Sequence, residues 1–427
     1  MRSRIGELFV AIVLLHAGGL RCVLAADGTH RARSERSTSG PIQHVVFIIQ
    51  ENRSFNNLFV GFKGATTQNY GYDSSGRKIK LHATSLATRW DIDHSWTAYR
   101  TAYDDGKLDG WNQEAACCGQ PRDFAYAYVP RSESKTYWEM AQQYVLADAF
   151  FPSNVDGTFI SHQYAIAAFA NDEVNYPTGP WGCEGGPSDV IGRIGGGMVP
   201  VCEDYTTLGD ELDEASLSWR YYTPSYAQDG GIFDPYSAIN HIYYGPDYAA
   251  DVVNPPSQFI ADVTHGKLAT VSWISPTFGD SDHAGYDASG GPAWVASLVN
   301  AVGQSTYWNS TAIFIMWDEW GGWFDPVEPV HLDDDGSGFR VPLIAISAYA
   351  KTGYVSHVQY ETSSVLRFIE DDFGLAQMAP SDTRAKDPSS DFFDFKRPPR
   401  PFKSFRADPP AAREVPWNGV RPQVGGD

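Results

Sequence analysis

The 427-residue chain predicts a mixed α/β sandwich: a mostly parallel central sheet with helices on both faces. Three features carry that expectation. Five short apolar runs, HVVFIIQ (44–50), YVLADAFF (144–151), LATVSWIS (268–275), TAIFIMWD (311–318) and VPLIAIS (341–347), are rich in β-branched residues and nearly free of polar ones. Such runs suit strands buried on both faces. Helical patterns lie between and after them, GPAWVASLVNAVGQS (291–305) and YETSSVLRFIEDDFG (360–374), the second ending at a glycine fit for a C-cap. Finally, no linker-like break interrupts the alternation of strand and helix, which favours a parallel sheet. Active sites in such folds lie off the carboxyl ends of the strands. Polar residues just after strands therefore carry most weight.

The ends of the chain read differently from its body. Residues 1–26 resemble an export signal: Arg2 and Arg4 precede the apolar run Leu8 to Leu15, and Leu24-Ala25-Ala26 offers a cleavage point. A lipid attachment at Cys22 is disfavoured by Arg21 where a small residue is expected. Residues 27–40 are polar and read as a flexible segment, 41–379 as one continuous domain, and 380–427 as a proline-rich strap anchored by Phe392, Phe393 and Phe395. A secreted or periplasmic protein is the expectation. No segment reaches ~18 uninterrupted apolar residues, so stable membrane insertion is not expected.

Charge narrows the partners. Against 32 Lys+Arg stand 52 Asp+Glu, a net −20, which argues against nucleic acid. It also repels anionic lipid, so any phospholipid chemistry must address a zwitterionic head group or use a local cationic site. Of the four cysteines after the signal, Cys183 and Cys202 suit a disulfide across a Gly-rich loop, and Cys117-Cys118 a vicinal one. A four-cysteine zinc site is the weaker alternative, lacking CxxC spacing.

Two strand exits bear hard oxygen donors: Gln50-Glu51-Asn52-Arg53-Ser54-Phe55 and Trp317-Asp318-Glu319-Trp320-Gly321-Gly322. If these strands are neighbours, Glu51, Asp318 and Glu319 crowd three negative charges, which suits one divalent cation of unspecified identity. The bland reading is loop caps and surface acids. A third exit, SNVDGTFISH, places Thr158 behind a glycine at a strand-to-helix turn, where a hydroxyl can face an anionic phosphate. On pattern alone Thr158 reads more readily as an N-cap than as a nucleophile. His94 (DIDHSW), His241 (NHIYYGPDY) and His283 (GDSDHAG) occupy polar loops, fit to hold phosphate oxygens or protonate a leaving group. His162, one turn beyond Thr158, could equally be structural. Most of the aromatic residues read as packing, with some left to line a cleft.

Together these segments resemble a secreted bacterial phosphoesterase family that contains phosphatidylcholine-hydrolysing phospholipases C and acid phosphatases. The likeness runs from about residue 42 to 395, on VVFIIQENRSFNNLF, DIDHSW, SNVDGTFISHQY, SDHAGYDASGGPAWVASLVNAV, TAIFIMWDEWGGWFD and GFRVPLIAISAYAKTGYVSHVQYETSSVLRFIE. The resemblance implies that 41–379 is a phosphoesterase domain of alkaline-phosphatase-like fold, with a metal held by Glu51, Asn52, Asp318, Glu319 and the nucleophile Thr158. It also implies phosphate contacts from His94, His241 and His283. Three positions depart from the family pattern: Pro326 where histidine is usual after Asp325, Tyr360-Glu361-Thr362 for Asp-His-Thr, and Asn56 for aspartate. The function so implied is metal-dependent hydrolysis of phosphate mono- or diesters through a phosphothreonine, on a small phosphate ester or a phospholipid head group. A secreted carbohydrate-binding protein with a structural calcium is the rival. A sulfatase is disfavoured by the absence of a CxPxR-like run.

Overall fold

The computed structural model describes residues 40–114, 119–225, 231–286, 289–333 and 336–407. The expected export signal, most of the segment 27–40, the Cys117-Cys118 pair and the end of the strap lie outside the described residues.

Among the described residues eight strands build the central sheet: β1 His44–Gln50, β2 Val145–Ala147, β3 Trp219–Tyr222, β4 Val252–Val253, β5 Val271–Ile274, β6 Thr311–Trp317, β7 Leu343–Ser347 and β8 Tyr354–Ser356. They are ordered β4-β3-β5-β1-β6-β7-β2-β8. All run the same way except β7, which is antiparallel to both β6 and β2. Successive residues of β6 and of β1 beyond its first position are all buried, so both sheet faces are covered and the apolar runs need no alternation. The pairing register aligns the two strand ends. Val45 pairs with Ala312 and Gln50 with Trp317, so β1 and β6 end level and release Glu51 and Asp318 side by side.

The run 144–151 does not form one strand. Asp148 interrupts it: its carboxylate accepts from the Thr66 N–H at 2.7 Å and pairs with His357 at 2.8 Å. The chain then restarts as Phe150–Phe151, paired with Tyr360–Glu361 in a separate ribbon. That ribbon also delays the helix expected from residue 360, which begins at Ser363.

Four helices matter here: α1 Lys135–Gln143, α2 Thr158–Ala167, α3 Gly291–Gly303 and α4 Ser363–Phe373. Every residue of α2 is buried. Gly374 ends α4 in the left-handed region at φ 68°, its N–H donating to the Glu370 carbonyl. Segment 380–407 lies along the body. Phe392, Phe393 and Phe405 are buried, and Asn300 of α3 exchanges two 2.9 Å hydrogen bonds with the Phe405 backbone.

Cys183 and Cys202 form a disulfide, which removes them from any four-cysteine zinc site. Trp111, Trp219, Trp273, Trp317, Trp320 and Trp323 are all fully buried, so much of the aromatic content packs the interior rather than forming an exposed sugar platform.

Candidate active site

The carboxyl ends of β1 and β6 are locked together by backbone contacts. The Asp318 N–H donates to the Gln50 carbonyl at 2.8 Å, and the Asn52 N–H donates to Asp318 Oδ1 at 2.8 Å. Asn52 takes a positive φ of 59°, which asparagine tolerates better than most residues. Gly321 is required opposite it: a Cβ there would lie 2.1 Å from the Asn52 carbonyl oxygen, and its φ is +62°. The glycines of WDEWGG thus let the two exits touch. Arg53 clamps the neighbouring loops, donating to the Asp282 and Leu86 carbonyls at 2.7 and 2.8 Å while its guanidinium lies over Trp323. Ser54 caps the short helix Phe55–Phe59 and donates to the Phe324 carbonyl. The His283 loop is latched to β1 through Gln50, which bonds the Asp282 N–H and the Asp280 carbonyl.

Three carboxylates converge at this junction, all fully buried: Glu51, Asp318 and Glu319. Glu51 Oε2, Asp318 Oδ2 and Glu319 Oε1 have no hydrogen-bond partner among the described residues. Burial pushes the Glu51 carboxyl up to about 8, with the adjacent Asp318 carboxyl opposing the rise and the Asp282 charge adding to it. Burial and then the charge of Glu51 push Asp318 up to about 8 as well. Glu319 is raised well above its ordinary range by burial and then by Asp318. Three such groups without a compensating charge cost several kcal/mol to ionise.

His162 joins them. Its Nε2 lies 3.1 Å from Glu51 Oε1, and ligand atoms of Glu51, His162 and Asp318 lie within 4.8 Å of one another. His162 Nδ1 lies 3.2 Å from the Tyr221 hydroxyl, which also reaches the Phe233 carbonyl at 2.9 Å and the Ser275 hydroxyl at 2.7 Å. Burial holds His162 neutral, down to about 4, so a neutral imidazole stands against Glu51. The donor set, orphaned carboxylate oxygens beside a neutral imidazole, fits a divalent cation.

Thr158 is the first residue of α2, and Gly157, not Thr158, is its N-cap. The N-cap reading of Thr158 is thereby corrected: its buried Oγ1–H donates instead to Asn52 Oδ1 at 3.4 Å. The Asn52 amide nitrogen reaches His94 Nε2 at 3.0 Å and His283 Nε2 at 3.1 Å. Each histidine donates its Nδ1–H to a carbonyl, His94 to Ile92 at 2.7 Å and His283 to Ala284 at 2.5 Å, which turns Nε2 inward. Burial, reinforced by His94, pushes His283 down to about 3, so it stands neutral. His94 lies 3.9 Å from both Asp91 and Glu319. One asparagine thus links the acidic cluster, the hydroxyl and two imidazoles.

His241 is not brought to this cluster. It is exposed on a short helix, Asn240–Tyr243, where Nε2 bonds Asp210 at 2.8 Å and Nδ1 bonds Asp204. Surface carboxylates satisfy both nitrogens. The departures from the family pattern have structural partners: Asp325, before Pro326, is buried against Arg340 at 2.8 Å, and Asn56 bonds the Gln68 backbone twice at 2.9 Å. Glu361 pairs with Arg384 at 2.8 Å, and burial pushes it up to about 7. His162 is the group that sequence reasoning left outside the acidic set, although its i+4 spacing from Thr158 placed both on one helix face.

The chain is similar in sequence to known proteins. The hemolytic phospholipase C of Pseudomonas aeruginosa is 25% identical over 432 residues, covering 84% of this chain and 56% of that one, so the chain spans about half of that relative. Phospholipase C B of Mycobacterium tuberculosis is 24% identical over 427 residues, covering 85% of this chain and 79% of that protein. A crystal structure of an alkaline phosphatase superfamily protein from Vibrio parahaemolyticus superposes with a TM-score of 0.43 at 9% identity, over 81% of this chain and 71% of that one. Residues 42–376 match the Phosphoesterase family, a stretch that contains every strand of the central sheet and every residue of the cluster around Asn52. The chain belongs to the phosphoesterase family.

Proposed function

We propose that the protein hydrolyses phosphate mono- or diesters, with a divalent cation held by Glu51, Asn52, Asp318 and Glu319 and with Thr158 as nucleophile. The observation that carries this reading is the Thr158 hydroxyl at 3.4 Å from Asn52 Oδ1, beside three buried carboxylates with orphaned oxygens. The cation, when bound, lowers the pKa of the nearby hydroxyl and polarises a phosphoryl oxygen. Thr158 Oγ gives its proton to a water molecule and bonds to phosphorus as the bond to the ester oxygen breaks, and the departing alcohol takes up a proton from the imidazole of His94. Water then cleaves the phosphothreonine and releases phosphate or a phosphorylated head group. His94, its Nε2 set between the Asn52 amide and the Glu319 carboxylate, is the imidazole assigned to take up a proton and pass it to the leaving group. His283, held neutral, orients the Asn52 amide rather than acting as the acid.

The substrate is a small phosphate ester or the head group of a phospholipid, the activity named for the Pseudomonas and Mycobacterium relatives. No helix among the described residues is long and apolar enough to cross a membrane. The Cys183–Cys202 disulfide supports export to an oxidising compartment.

The test is a metal-supplemented screen of p-nitrophenyl phosphate against p-nitrophenyl phosphorylcholine across acid to alkaline pH, with Thr158→Ala alongside. The wild type should hydrolyse at least one of them, and the preferred ester decides monoester against diester. The alanine variant should lose about three orders of magnitude or more in kcat while still binding metal. Near-normal turnover by that variant removes Thr158 from the mechanism.

A further inference from the structure

Tyr176 borders the site beside the start of α2. Its ring stands edge-on to His94, with centroids 5.8 Å apart, and stacks on Trp181 at 5.8 Å and 19°. A Cβ built on Gly157 would come within 2.8 Å of the phenol oxygen and of Cε1. The hydroxyl therefore rests against the residue immediately before the nucleophile, in space that only a glycine leaves open. It is shielded from solvent, yet it has no hydrogen-bond partner among the described residues.

Its surroundings restrict what that hydroxyl can do. Burial first, then the charges of Glu319, Asp156, Asp93 and Asp91, hold the phenol protonated far above neutral pH. It is thus a donor in want of an acceptor. The nearby Asp156 carboxylate is already occupied, accepting the Gly157, Trp96 and Asn175 N–H groups at 2.8, 3.1 and 2.8 Å. A buried donor left unpaired costs ~1–3 kcal/mol, a cost removed when an acceptor arrives with a ligand.

We propose that the Tyr176 hydroxyl donates a hydrogen bond to a non-bridging oxygen of the phosphoryl group bound at Thr158, making it a further phosphate-binding residue. The stack on Trp181 and the edge contact with His94 fix the ring, so the donor is oriented before substrate arrives. This rests on the phosphoesterase reading of the site and adds a neutral donor to it.

Tyr176→Phe tests it, because the ring, its stack and its contact with Gly157 survive while the O–H is lost. Inorganic phosphate binding is measured by calorimetry in the metal-supplemented buffer, together with kcat/KM on the better nitrophenyl ester, thermal stability and bound metal. The expected result is phosphate binding weakened about tenfold or more and kcat/KM lowered ~10–100-fold, with melting temperature and metal content unchanged. An active wild type whose Tyr176→Phe variant keeps both values within twofold overturns this assignment alone. A wild type that neither binds phosphate nor hydrolyses either ester overturns the phosphoesterase reading and this assignment with it.

Discussion

Replacing Asp318 by asparagine should stabilise the metal-free protein, and by more as the pH rises. In the folded chain burial and the Glu51 charge push Asp318 from 3.8 up to about 8. Below pH 3.8 both folded and unfolded chains hold the proton, so the variant and the wild type differ little on this ground. Between that pH and about 8 the folded wild type keeps a proton that the unfolded chain has released. Its stability therefore falls as pH rises, at ~1.4 kcal/mol per pH unit. Asparagine does not titrate, and its Oδ1 can still accept the Asn52 N–H, so the variant escapes that loss. At ~2.1 cal/mol/K per residue a chain of this size unfolds with an entropy of ~0.9 kcal/mol/K, which converts the slope to ~1.5 °C per pH unit. The gap should thus widen by ~4 °C between about pH 5 and 7.5. Thermal unfolding in chelator at several pH values reads it directly. Adding a divalent cation should reverse the order near neutral pH, because only the wild type offers the full set of charges. A gap that is flat with pH, or a metal-free variant less stable than the wild type near neutral pH, refutes the electrostatic reasoning about the cluster.

Gly321→Ala would push a Cβ to 2.1 Å from the Asn52 carbonyl oxygen at a φ of +62°; it should cost ~2 kcal/mol or more and lower metal retention on dialysis. His241→Ala, remote from the cluster in its hydrogen bonding, should leave kcat/KM within about twofold of wild type; a loss of about a hundredfold would return it to the mechanism. Cys183→Ser opens a loop of 19-residue separation and should cost ~3 kcal/mol of stability, read from the denaturant midpoint, without changing kcat.

The sheet was readable where strands are long and buried on both faces, because burial alone makes β1, β6 and β7 continuous apolar runs. It was not readable at β3, whose WRYY mixes a half-buried arginine with aromatics, or at β4 and β8, two and three residues long and defined only by their partners. Asp148 divided a run that periodicity joins, because its carboxylate serves groups distant in sequence. In the site, ENRSF and WDEWGG carried both the buried acidic residues and the geometry that joins them. His94 and His283 meet at one amide, which no local pattern announces. His241 sits in a motif just as suggestive, yet its helix faces solvent. Local spacing identifies a group's chemistry; the register of strands far apart in sequence decides its company.

A hydroxyl nucleophile set beside a carboxylate-bound cation is tested most directly by acid-quenching the metal-loaded protein during turnover and mapping the phosphorylated peptide. One phosphoryl group is expected, on Thr158, absent from Glu51→Gln and from metal-stripped protein. Turnover with no phosphopeptide at any time point, or phosphate on another residue, contradicts it.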